Sequence, residues 1–178
     1  MKFYFDMDGV LVNFNSMVPN NSDLNHPSEQ LTPEKRAAKT QFWRKIEQTP
    51  NFWRDIPMTN NADYMLSVAH ECGEIFVLSK PPSAKHFATG QDYVNFVANE
   101  KRKWIATNFP YFFNESHVII CDSSKGKLIK PTFDDILVDD RQENVKDWVE
   151  CGGRGILFRD AMDTVNKIQM EYYISRSK

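Results

Sequence analysis

Hydrophobic positions along the chain follow two alternating rhythms, short unbroken apolar runs and longer stretches in which apolar residues recur every three or four positions. The unbroken runs read as buried strands: Phe3-Tyr4-Phe5, Ile75-Phe76-Val77-Leu78, Val118-Ile119-Ile120-Cys121, Ile136-Leu137-Val138 and Gly155-Ile156-Leu157-Phe158. The periodic stretches read as helices. Thr32-Pro33-Glu34 offers a cap, a proline at the first helical position and an early acid, so a helix is expected over 33–48 with Ala38, Phe42 and Ile46 on one face. A second starts near Asn60 or Asn61, turns Ala62, Met65, Leu66 and Ala69 inward, and stops at Gly73 in a left-handed cap. Val94, Val97, Trp104 and Ile105 mark a helix over 92–108. Val145, Trp148 and Val149 share one face of a shorter helix closed by Gly152-Gly153, and Val165 and Ile168 mark a last helix over 162–173.

Strands that alternate with helices predict an α/β fold, a doubly wound, Rossmann-type parallel sheet. Asn, Ser, Pro and His dominate residues 15–30, and nothing between 15 and 57 reads as a strand. The expected organisation is a core of residues 1–14 and 58–178 with a small helical cap, residues 15–57, inserted after the first strand.

Composition narrows the class. The 178 residues suit one domain with an insertion, and 41% apolar content is that of a globular chain. A formal charge of -2 speaks against a large basic surface, so polymeric nucleic acid is not an expected partner, whereas a small phosphorylated molecule needs only a local positive pocket. Cys72, Cys121 and Cys151 are too far apart for a metal-type pair and read as packing residues in a reducing compartment. No apolar run approaches a membrane span, and the first strand follows Met1 too closely for a signal peptide; a cytoplasmic protein without a membrane partner is expected, as monomer or homodimer.

The strand ends carry the chemistry. Asp6 and Asp8 follow the first strand, Ser79 the second, a lysine-bearing segment the third, and Asp139-Asp140 the fourth, and ligands of open α/β sheets bind beyond these ends. Asp6 or Asp8 alone could simply bond its own turn, as Asx residues do, and Asp139-Asp140 could cap a helix. Grouped around one point, such carboxylates repel one another unless a cation sits among them, and an all-oxygen set favours Mg²⁺ over zinc. Four lysines, Lys101, Lys103, Lys125 and Lys127, are candidates for a phosphate contact, with Lys125 preferred.

The string Asp-Met-Asp-Gly-Val-Leu after a hydrophobic strand resembles the first motif of the haloacid-dehalogenase superfamily of phosphohydrolases, and the order of the later strand ends resembles its other three motifs. The resemblance implies that Asp6 attacks phosphorus and becomes an aspartyl-phosphate while Asp8 serves as general acid and then base. It implies that Ser79 and a lysine, Lys125 or Lys127, hold the phosphate. It implies that Mg²⁺ is bound by Asp6, Asp140 and the backbone carbonyl of Asp8, with Asp139 acting through water. Together with Phe-Trp-Arg-Asp-Ile-Pro-Met, Glu-Lys-x-x-Trp-Ile and Val-Asp-Asp-Arg, the first motif looks like that of the 5′(3′)-deoxyribonucleotidases. That likeness implies dephosphorylation of a deoxyribonucleoside monophosphate over Phe14, with the cap aromatics Trp43 and Trp53 as further substrate contacts. The alternatives are a phosphatase for another small phosphomonoester such as a sugar phosphate, or for a polynucleotide end, and a non-catalytic binding module on the same fold.

Overall fold

The computed structural model describes residues 1–17, 31–121 and 124–177. Five parallel strands form the sheet: β1 (Lys2–Phe5), β2 (Glu74–Ser79), β3 (Val118–Ile120), β4 (Asp135–Asp139) and β5 (Arg154–Leu157), in the order β3-β2-β1-β4-β5. The chain runs outward from β1 to one edge and, after β3, crosses to the other side of β1, as in a doubly wound α/β sheet. β1 is therefore central and buried on both faces, which is why its apolar run shows no alternation.

Each face has its own core. Phe3, Phe5, Ile75, Val77, Ile136 and Val138 point to one side, under α4 (Ala62–Cys72), α5 (Gln91–Asn108) and α8 (Ala161–Arg176). Tyr4, Leu78 and Leu137 point to the other, where Trp148 of α7 (Gln142–Glu150) covers them with its ring tilted against that of Tyr4 at a centroid distance of 5.1 Å. Trp148 is fully buried and its indole N–H donates to the Asp135 carbonyl at 3.2 Å, so the one polar atom of that plug is satisfied.

The expected helix over 33–48 is α2 (Pro33–Glu47), with Ile46 buried and Ala38 exposed, so its inward face is set by Ile46 and the half-buried Phe42 and Trp43. On α7 the inward residue is Trp148, and Val149, expected beside it, is 51% exposed. Gly73 ends α4 with extended backbone (φ 176°), not left-handed; a Cβ there would lie 2.5 Å from the Met1 carbonyl oxygen, so close approach to the chain start excludes a side chain. Three short helices have no counterpart in the apolar pattern: α1 (Phe14–Met17), α3 (Phe52–Asp55) and α6 (Lys125–Ile129). Each is too short to show a 3.6-residue period. The expected loop over 15–30 begins inside α1, and its residues 18–30 lie outside the described residues. Between α1 and α4 no described residue joins the sheet. No helix among the described residues is long and apolar enough to cross a membrane, and all three cysteines are free thiols.

Candidate active site

β1 ends at Phe5, and the Asp6 N–H donates to the Val138 carbonyl at 2.9 Å, which sets Asp6 level with the end of β4. The chain then turns tightly. The Met7 carbonyl accepts the N–H groups of Leu11 and Val12 at 2.9 and 3.0 Å, and Gly9 takes φ +84°, a left-handed value that a side chain resists. A Cβ on Gly9 would also lie 2.3 Å from Asp140 Oδ2. Glycine therefore lets the turn close onto the carboxylate at the end of β4. Beyond the turn, Asn13 N–H donates to the Pro57 carbonyl at 2.8 Å and Thr59 N–H to the Leu11 carbonyl at 3.0 Å, so the two ends of the segment between them are pinned together.

Three carboxylates meet here. Asp6, Asp139 and Asp140 each bring an oxygen within 4.8 Å of the others. Burial, and then the neighbouring Asp6, Asp139 and Asp8, push the Asp140 carboxyl up to about 7. Two buried lysines answer the crowding. Lys125 Nζ lies 2.8 Å from Asp6 Oδ1 and 2.6 Å from Asp139 Oδ2. Although burial works against its charge, Asp6 and Asp139 hold its ammonium well above the ordinary lysine range. Lys101, fully buried on α5, donates to Asp8 Oδ2 at 2.5 Å and to Ser79 Oγ at 3.0 Å. Burial raises the Asp8 carboxyl, the Lys101 ammonium opposing it, and Asp8 Oδ1 is buried with no hydrogen-bond partner among the described residues.

The expected residues Asp6, Asp8, Ser79, Lys125 and Asp140 thus converge on one point at the carboxyl ends of β1, β2 and β4. Lys127 does not join them: it is exposed, and its backbone N–H caps α6 on Ser124 Oγ at 3.2 Å. Two residues apart on a helix, Lys125 and Lys127 cannot face the same way. Lys103 is also exposed and pairs with Glu100 at 2.7 Å, whereas Lys101 proves to be a second buried cation. A signal for Lys101 was present, since it stands four residues after Val97 and four before Ile105, inside the apolar stripe of α5.

The aromatic side chains divide into two kinds. Phe14 is half-buried and ringed by Trp43, Phe52 and Trp53 at centroid distances of 6.1, 5.9 and 6.1 Å. Trp53, expected as a substrate contact, is 2% exposed; its indole N–H donates to the Tyr93 hydroxyl at 3.2 Å and its ring stands 5.6 Å from Lys101 Nζ. It serves as a wall behind Lys101. Phe14 and Trp43 keep open surface.

The donor set suits a hard divalent cation. Asp6 and Asp140 offer only oxygen, and the lysine beside them is shared between Asp6 and Asp139. Asp139 differs, because its carboxylate is taken up by protein donors: Arg141 N–H at 2.9 Å and Asn144 Nδ2 at 3.0 Å on Oδ1, and Lys125 and Asn144 Nδ2 at 2.6 and 3.0 Å on Oδ2. Three donor groups, one of them bridging both oxygens, thus make four contacts with a carboxylate that offers about four lone-pair positions.

Comparison with known proteins gives a family and a fold. The model of the family described as "5′ nucleotidase, deoxy (Pyrimidine), cytosolic type C protein" matches residues 1–171. Among solved structures, a haloacid dehalogenase-like hydrolase from Burkholderia xenovorans superposes with a TM-score of 0.55 at 14% identity, covering 97% of each chain. A HAD-superfamily hydrolase from Ehrlichia chaffeensis gives 0.51 at 13% identity over 96% of each chain. A haloacid dehalogenase-like protein from Streptococcus pneumoniae gives 0.51 at 12% identity over 94% of this chain and 90% of its own. At such identities the likeness is one of fold. No curated protein sequence matches.

Proposed function

Because the chain belongs to the deoxy (pyrimidine) cytosolic type C 5′ nucleotidase family of phosphatases, we propose that it removes the phosphate of a deoxyribonucleoside monophosphate by way of an aspartyl-phosphate on Asp6. The observation that carries this reading is the pairing of two buried lysines with two carboxylates, Lys125 with Asp6 and Lys101 with Asp8, around one strand end. Lys125 occupies Asp6 Oδ1, which leaves Oδ2 as the attacking oxygen. Lys101 occupies Asp8 Oδ2, which leaves Oδ1, with no partner among the described residues, to carry the proton for the leaving oxygen and later to take one from water. The two ammonium groups and the Ser79 hydroxyl flank the position where a transferred phosphoryl group stands, the lysines supplying charge and the hydroxyl a hydrogen bond to its equatorial oxygens.

Asp6, Asp140 and the backbone carbonyl of Asp8 would hold Mg²⁺, as the family's pattern implies and the oxygen-only donors support. Bound there, Mg²⁺ supplies charge neutralisation and polarises the phosphoryl oxygen.

Residues 15–57 serve as the cap that selects the substrate. Their ends are pinned by the Asn13–Pro57 and Thr59–Leu11 hydrogen bonds, and they bring Trp43 against Phe14. A base stacked on Phe14 and Trp43 gains roughly 1–3 kcal/mol. The cytosolic family description and the free thiols support a cytoplasmic setting.

The test is a panel of deoxyribo- and ribonucleoside monophosphates, sugar phosphates and p-nitrophenyl phosphate, with and without EDTA. Deoxyribonucleoside 5′-monophosphates should be hydrolysed fastest, EDTA should stop all turnover, and Phe14→Ala should lower kcat/KM for nucleotides while sparing p-nitrophenyl phosphate. Faster turnover of sugar phosphates than of any nucleotide would transfer the protein to the other small-phosphomonoester reading.

A further inference from the structure

We infer that Asn144 is a positioning residue, which reserves Asp139 for Lys125 and withholds it from the cation site. Asp139 lies within 4.8 Å of both Asp6 and Asp140, and by proximity alone it would be a third carboxylate ligand. What prevents this is Asn144, whose amide nitrogen, three residues into α7, donates to both Asp139 oxygens at 3.0 Å. The amide has to present its NH₂ here, because a carboxylate only accepts. With the Arg141 N–H fixing Oδ1 at 2.9 Å, the carboxylate is held with Oδ2 toward Lys125 at 2.6 Å. Lys125 in turn reaches Asp6 Oδ1 at 2.8 Å. A chain of hydrogen bonds thus runs from Asn144 through Asp139 and Lys125 to Asp6, and every link except Asn144 is nine-tenths buried or more. Asn144 has no contact with the position of the substrate; it acts through Lys125.

This division rests on the phosphatase reading above and assigns distinct tasks to adjacent carboxylates. Asp140, facing the Gly9 turn, serves the cation, and Asp139, locked by Asn144, holds the lysine. Without the amide, only the Arg141 N–H and Lys125 still hold Asp139, so its hold on Lys125 loosens and a further carboxylate oxygen becomes available to the cation.

The test is a double-mutant cycle on p-nitrophenyl phosphate hydrolysis with Mg²⁺, using Asn144→Leu and Asn144→Asp in the wild-type and Lys125→Ala backgrounds, with thermal melts as the check of folding. In the wild-type background both variants should lower kcat about tenfold to a hundredfold, the usual cost of removing an outer partner of a site, with KM little changed. In the Lys125→Ala background the same changes should cost less than about twofold, because their route to Asp6 is already cut. Calorimetry without substrate should show Mg²⁺ binding tightened in Asn144→Leu, since ligand charge at the site rises. Equal losses in both backgrounds, or wild-type kcat in Asn144→Asp, which preserves size and removes the donor, would overturn the inference while leaving the phosphatase reading in place. If Asn144→Leu does not fold, the Asn144→Asp cycle decides alone. A wild-type protein inert toward every phosphomonoester would overturn both.

Discussion

At the scale of single residues, the site depends on two lysines buried against carboxylates. A lysine ammonium buried without a partner costs several kcal/mol, and here Lys101 stands 2.5 Å from Asp8 and Lys125 within 2.8 Å of both Asp6 and Asp139. Lys125→Ala and Lys101→Ala should each reduce kcat/KM by ~100- to 1,000-fold, the range measured for single groups aimed at developing charge, whereas Lys127→Ala should stay within about twofold. Steady-state kinetics of the three variants checks this; a sensitive Lys127 would reverse the assignment. Gly9→Ala meets two penalties, a φ of +84° and a Cβ 2.3 Å from Asp140 Oδ2. It should cost about 1–2 kcal/mol of stability from the backbone and lower Mg²⁺ affinity by moving Asp140, read by melting and by calorimetry. Asp6, Asp8, Ser79 and Asp140 could be singled out in the sequence because each stands within three residues of the end of an apolar run, and position beyond a strand end is itself the signal. Asn144 was not, because its partner Asp139 is five residues away across a helix start, a spacing that belongs to no periodicity.

Individual elements show where the apolar pattern loses information. α4, α5 and α8 bury a full face and were legible to within two or three residues, because a helix of three turns or more repeats its stripe. α1, α3 and α6 end before a stripe can form, yet α6 is the element that presents Lys125 and turns Lys127 away. Its start is fixed by the Ser124 cap, a single hydroxyl accepting Lys127 N–H at 3.2 Å. Ser124→Ala should destabilise the protein by about 1 kcal/mol and cut kcat more than KM, since a frayed α6 mispositions Lys125; equal thermal stability with unchanged kcat would show that the cap is dispensable. The inward faces of α2 and α7 were misjudged at Ala38 and Val149 for a common reason: residues at i and i+4 drift by some 40° per step, and only packing decides where the stripe ends.

Across the whole molecule, strand order does what no single motif can. Placing β1 between β2 and β4 brings Asp6, Ser79 and Asp139–Asp140, scattered over more than half of the sequence, to one crevice, and α5 returns Lys101 to it from the far side of β2. The cost is a cluster of like charges. Asp140→Asn should therefore raise the stability of the metal-free protein by about 1–2 kcal/mol while removing its response to Mg²⁺. The wild type at a Mg²⁺ concentration of ~100 times Kd should gain about 2.7 kcal/mol, roughly 5–10 °C in Tm for a chain of this size. A melting series with EDTA and Mg²⁺ on both proteins reads this, and a wild type indifferent to Mg²⁺ would contradict the cation site. The central claim, that Asp6 takes the phosphoryl group, is tested most directly by acid-quenching the protein after brief mixing with a radiolabelled deoxyribonucleoside 5′-monophosphate and Mg²⁺. The account predicts label on the peptide that contains Asp6, stable to acid, released by hydroxylamine as an acyl phosphate is, and absent from Asp6→Asn. Phosphate release at the wild-type rate from Asp6→Asn, or label retained by that variant, would contradict it.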